Sequence, residues 1–76
     1  MNMLFGGVKQ IIKIEGMKCQ HCACHAEEAL KNIEGVKSVH VNLERKEAVI
    51  KSKSGIDEER IKKAIEEVGY KVKEVE

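Results

Sequence analysis

The stretch Gly16-Met17-Lys18-Cys19-Gln20-His21-Cys22 is where one periodicity in the chain gives way to another. Before it, Val8, Ile12 and Ile14, with Gln10 between them, share one face of an alternating run. Lys9, Ile11, Lys13 and Glu15 take the other face, the pattern of a β-strand. After it, Cys22, Ala26, Ala29, Leu30 and Ile33 recur at i, i+4, i+7, i+8 and i+11, the stripe of an amphipathic helix starting near Cys22. Gly16 breaks the strand, so Cys19-Gln20-His21-Cys22 falls on a strand-to-helix junction. Two thiols at this spacing can grip one soft metal ion or close into a disulfide. A helix start at Cys22 favours its thiolate, because the unpaired backbone N–H groups there stabilise negative charge.

The remaining elements follow from the same reasoning. Gly35 is expected to end the first helix. Val39, Val41 and Leu43 then alternate with Ser38, His40 and Asn42, and Ala48 and Ile50 alternate with Glu47, Val49 and Lys51. Joined by the polar turn Glu44 to Lys46, these two runs read as a hairpin. Ser54 or Asp57 can cap a second helix whose apolar stripe is Ile56, Ile61, Ala64, Ile65 and Val68. Its outer face offers the i,i+4 charge pairs Glu58 with Lys62 and Glu59 with Lys63. Gly69 stops that helix, and Tyr70 to Val75 reads as the last strand. The resulting order βαββαβ predicts an α+β, ferredoxin-like sandwich: a four-stranded antiparallel sheet with both helices on one face.

Size and charge narrow the function. Seventy-six residues form one small domain, expected over residues 8–76 after a loosely ordered, flexible N-terminal extension at 1–7 that is too short and uncharged for a secretory leader. Lysine and arginine number 14 against 13 aspartates and glutamates, so no overall field draws the chain to nucleic acid or an acidic membrane. Phe5 and Tyr70 are the only aromatic rings of the Phe, Tyr and Trp kind, too few for a base-stacking platform. No apolar run approaches the roughly 20 residues that span a bilayer, so no stable membrane insertion is expected. Three cysteines between positions 19 and 24 cannot staple a fold, which favours a reducing, cytoplasmic setting.

Taken with Ala29-Leu30, Ile33-Glu34-Gly35-Val36 and Val68-Gly69-Tyr70, the stretch Gly-Met-x-Cys-x-x-Cys resembles the heavy-metal-associated domain of copper metallochaperones and copper-transporting ATPases. The likeness runs from Val8 to Val75. It implies a non-enzymatic carrier that holds Cu(I) between Cys19 and Cys22 and passes it by thiolate exchange to a partner carrying a similar motif. That partner would be a copper-transporting P-type ATPase or a cognate chaperone. It also implies that Met17 packs beneath the metal loop and that Tyr70 lies close to it as an outer support. The chemistry agrees: two thiolates satisfy soft Cu(I), whereas Zn(II) asks for four ligands. Lys18 stands where domains that handle divalent metals often carry an acid, and its charge is expected to depress a neighbouring thiol.

Cys24 and His25 depart from the family pattern. On a helix Cys24 lies roughly 200° from Cys22, facing Glu27, Glu28 and Lys31. It reads either as a surface thiol or as an extra ligand, and in the second case it could join two copies in a metal-bridged homodimer. His25, at i+3 from Cys22, is a further candidate; His21 and His40 read as surface residues, and Met1 and Met3 as ordinary terminal methionines. With Cys24 or His25 ligating, Zn(II), Cd(II) or a multi-copper cluster becomes the alternative cargo. Two other functions are weaker. A dithiol–disulfide oxidoreductase of the thioredoxin kind has a cis-proline facing its cysteines, and this chain has no proline. A structural zinc module needs two separated ligand knuckles, and residues 19–25 supply one. For a carrier, Lys9, Lys13, Lys18 and Lys31 are expected to form a basic docking patch that tunes encounter more than affinity.

Overall fold

The computed structural model describes residues 7–76. Strand β1 (Val8–Glu15) leads into helix α1 (Gln20–Lys31), the hairpin β2 (Val36–Asn42) and β3 (Glu47–Ser52), helix α2 (Glu58–Glu67) and strand β4 (Lys71–Val75). The four strands form one antiparallel sheet in the order β2-β3-β1-β4, the ferredoxin-like arrangement. Residues 1–6 lie outside the described residues, and with them Met1, Met3 and most of the expected extension.

Register places the apolar alternation on one face. Ile12 pairs with Ala48 on one side and Val75 on the other, and Ile50 pairs with Val39. Ile12, Ala48 and Ile50 are fully buried and Ile14 nearly so, and they share a single cluster with Ala26 and Leu30 of α1 and Ile61 and Ile65 of α2. Both helices therefore cover the same face of the sheet. The outward face keeps Lys13, whose ammonium lies 2.8 Å from Glu47 across the β1–β3 pair, with Arg45 at 3.8 Å from the same carboxylate. These are the ion pairs among the described residues; the expected Glu58–Lys62 and Glu59–Lys63 pairs do not close. On a solvated helix such contacts gain little over hydration.

Several local expectations shift. Helix α1 begins two residues earlier than the apolar stripe indicates, with Cys19 as N-cap and Cys22 inside the first turn. It ends at Lys31, where the Asn32 N–H still reaches Glu28 O at 3.1 Å, so Gly35 belongs to the turn beyond the helix. Ile33 meets the core from that turn. Ala23, off the predicted stripe, is only 3 % exposed, because it lies three residues before Ala26 and seven before Leu30, on the same buried side of α1. Val8 and Val68 are 38 % and 37 % exposed, since one opens a strand and the other caps a helix, where packing partners run out. Asp57, not Ser54, caps α2 by accepting from the Glu59 N–H. Gln10 clamps the approach to α2: its amide donates to Ile56 O at 3.0 Å and accepts from Ile56 N–H at 2.9 Å.

Leu30, fully buried between α1 and the sheet, measures how far the core stands without a bound ion. Leu30→Ala should cost about 2–5 kcal/mol in urea unfolding of the metal-free protein. A loss under about 1 kcal/mol, the size of an ordinary mutational effect, would mean that the core is not what holds the fold.

Candidate metal centre

The junction between β1 and α1 is a set of positions with little freedom. Gly16 has φ +105°, which L side chains rarely adopt, and a Cβ there would sit 3.1 Å from Tyr70 Cδ1. Glycine thus lets the chain turn out of β1 while the Tyr70 ring lies against it. Met17 follows, only 2 % exposed and part of the core. This matches its expected packing beneath the loop. Anchoring Met17 below pushes the next residues up to the rim, where Lys18 and Cys19 are exposed and Cys22 is half-buried against the core.

Cys19 has extended backbone and its carbonyl receives the Ala23 N–H at 3.1 Å, but its thiol makes no capping hydrogen bond. No acidic residue occupies the first turn of α1. The backbone N–H groups that a serine or aspartate cap would consume thus remain available to the thiolates. Cys19 Sγ and Cys22 Sγ are 3.6 Å apart, too far for a bond of about 2.05 Å and close enough to face one ion together.

Cys22 is held at about 7, below its ordinary 9.0. The largest cause is the backbone N–H of Lys18, followed by the Tyr70 hydroxyl and the Cys19 thiol; partial burial opposes them. Tyr70 shifts the opposite way, raised above 10.0, chiefly because its proton is engaged by Cys22. The expected electrostatic help from Lys18 is therefore corrected in kind: its main chain acts, not its ammonium, because the turn aims the N–H at sulfur while the side chain is exposed to solvent. Tyr70 does lie against the metal loop, and does so through two contacts, its ring on Gly16 and its hydroxyl toward Cys22.

Residues 11–71 match the profile of the heavy-metal-associated domain. The chain belongs to that family. The copper chaperone CopZ of Staphylococcus epidermidis is 44% identical over 66 residues, covering 86% of this chain and 97% of that protein. Among solved structures, a CopZ metallochaperone aligns with TM-score 0.77 and 40% identity over 86% of this chain and 98% of its own. The N-terminal domain of a potential copper-translocating P-type ATPase from Bacillus subtilis, solved in its Cu(I)-loaded state, aligns with TM-score 0.75 and 31% identity over 90% of this chain and 89% of its own.

Within this heavy-metal-associated domain the other sequence candidates separate. Cys24 is an exposed free thiol on the outer side of α1, in the same shallow surface hollow as Gln20, His21, His25 and Glu28. The His25 ring packs edge-on against His21, with centroids 5.3 Å apart. Among the described residues no three His, Cys, Asp or Glu side chains converge to enclose an ion. His40 is exposed on β2, away from the site. The four lysines do not make one patch. Lys13 is engaged by Glu47 on the outward sheet face, and Lys31 ends α1 about 18 Å along the helix from Cys19 at 1.5 Å per residue. Two features went unread in the sequence. One is the Lys18 N–H, a main-chain contact that no residue type announces. The other is the His21–His25 contact, which the i,i+4 spacing could have indicated.

The site's acidity has a readable consequence. Alkylation of Cys22, followed by mass mapping, should titrate with an apparent pKa of about 7, and Tyr70→Phe should move it upward by removing a donor to the thiolate. An unmoved profile in that variant would take Tyr70 out of the site. Because the folded value lies below the unfolded one, the metal-free fold should gain stability as pH rises through about 7 toward 9.0 and lose it on the way down.

Proposed function

We propose that this domain is a carrier that binds Cu(I) on Cys19 and Cys22 and delivers it by ligand exchange to a copper-transporting P-type ATPase bearing a similar domain. One observation carries the reading: two thiols 3.6 Å apart, at the uncapped N-terminus of α1, on a rim that solvent and a partner can reach. The names of relatives support it, since proteins similar to this chain include copper chaperones and a copper ATPase domain.

The donor set selects the cargo. Two soft sulfurs satisfy a monovalent soft ion, and no third protein ligand converges to build the closed tetrahedral shell that Zn(II) or Cd(II) prefers. Binding releases the remaining thiol protons. With Cys22 already near 7, proton competition at neutral pH is weaker there than at an ordinary cysteine.

The asymmetry between the cysteines orders the exchange. Cys19 is exposed, whereas Cys22 packs on the core and is held by the Lys18 N–H and Tyr70. An incoming partner thiolate adds to the ion as a third ligand; Cys19 then leaves and regains a proton. A second partner thiolate replaces Cys22 in the same way. Copper stays Cu(I) throughout, and each thiolate that joins is matched by one that leaves. No electron moves and no bond within the protein breaks, so the role is transport, not catalysis. A cytoplasmic setting suits it, since both thiols must stay reduced.

Cys19→Ala and Cys22→Ala should each lose Cu(I) in competition with a chromophoric chelator, whereas Cys24→Ala should retain it. Stripping the metal should leave the far-UV circular dichroism of the parent unchanged, because the ten-residue core cluster lies below the site. Undiminished Cu(I) retention in the Cys19→Ala/Cys22→Ala double variant would contradict the assignment.

A further inference from the structure

We propose that His21, Cys24 and His25 form a second metal site on the outer face of α1, separate from the cysteine pair and suited to a borderline divalent cation of the Zn(II) type. The three residues fall at i, i+3 and i+4 of one helix, so they occupy a single turn. At about 100° per residue their stripe is centred about 110° around the helix from Cys22. The structure already brings two of them together: the His21 and His25 rings are in edge contact with centroids 5.3 Å apart. All three line one shallow surface hollow, together with Gln20 and Glu28.

Two imidazoles four residues apart on a helix are a spacing that proteins use to hold zinc from one face. The ring contact here keeps both imidazoles on the same patch of the helix surface. The Cys24 thiol does not yet converge on them. It is exposed, and on a helix surface both of the common χ1 wells are open to such a side chain. A rotation of that kind would add the third ligand. The resulting set, two nitrogens and one sulfur with a position left to water, matches the three-ligand open sites of Zn(II).

The two sites would then sort metals by softness. Paired thiolates take Cu(I), whereas an imidazole-dominated set favours zinc, nickel or cobalt in the divalent state. Glu28, one turn further along the same stripe and lining the same hollow, adds negative charge that favours a dication over a monovalent ion. The outer face thus has a use for Cys24 that the copper pair leaves unfilled.

The test uses the full chain with Cys19→Ser and Cys22→Ser, so that the copper pair cannot contribute, and Zn(II) as the probe. Equilibrium dialysis should show one Zn(II) per chain. Adding His21→Ala and His25→Ala should weaken it by more than the roughly tenfold that even an outer-shell change costs, and Cys24→Ala should also weaken it. In the same double-serine protein, Zn(II) should shift the imidazole resonances of His21 and His25 and leave His40 in place, an internal control exposed on β2. Far-UV circular dichroism confirms folding of each variant, which the exposure of all three residues favours. The proposal fails if the double-serine chain takes up no Zn(II), if uptake is indifferent to the histidine or Cys24 substitutions, or if His40 shifts as much as the other two. None of these outcomes bears on Cu(I) retention by the parent, so the two assignments stand or fall separately.

Discussion

Everything at this site follows from one constraint: the chain must leave β1, bury Met17, and enter α1 within a few residues. Gly16 supplies the turn, with a φ that L side chains rarely adopt and no Cβ to strike Tyr70. Met17 supplies the anchor. What remains, Lys18 to Cys22, is forced to the surface at the end of a helix whose first N–H groups have no side-chain cap. Dipole, main-chain donors and the Tyr70 hydroxyl then act together on Cys22. The acidity of the thiol is thus a by-product of how the backbone is routed, and needs no nearby cation.

This routing separates two demands that oppose each other. A carrier must hold its ion firmly yet release it quickly, which a fully enclosed shell would prevent. Here the core is complete without any ion: Ile12, Ala26, Leu30, Ala48, Ile50, Ile61 and Ile65 are fully buried beneath the loop. The apolar burial that holds the sheet and helices together thus lies outside the ion's shell, in contrast to small domains whose binding energy is their folding energy. Among the described residues no helix is long and apolar enough to cross a membrane, and the described structure presents its thiols on a surface rather than in a channel.

Much of the architecture was legible because it rests on periodicity. The alternation of Ile12 and Ile14, the stripe of Ala26 and Leu30, and the hairpin around Glu44 to Lys46 each reflect one buried face, and the sheet uses those faces as expected. Helix ends were less legible. The start of α1 at Gln20 follows a cysteine that occupies the N-cap position without a capping hydrogen bond, so no residue type announces it. The pairing of Gln10 with the Ile56 main chain, across 46 positions, has no local trace at all. At the site, Cys19, Cys22, Met17 and Tyr70 stand out by motif and resemblance, and the structure brings all four to one end of the sheet. The Lys18 contribution was misread as charge because a sequence displays side chains and hides amide directions. The four lysines were grouped by type, although β1, the junction and the far end of α1 hold them apart.

The central claim is that the paired thiols at the rim pass an ion directly between proteins without releasing it to water. Stopped-flow mixing of the Cu(I)-loaded domain with a metal-free N-terminal domain of a copper-transporting ATPase tests it most directly. A small-molecule chelator matched in Cu(I) affinity serves as the comparison acceptor. Direct exchange predicts a transfer rate that rises with acceptor-domain concentration and exceeds loss to the chelator. A rate equal to that of spontaneous release, and independent of acceptor concentration, would contradict the account.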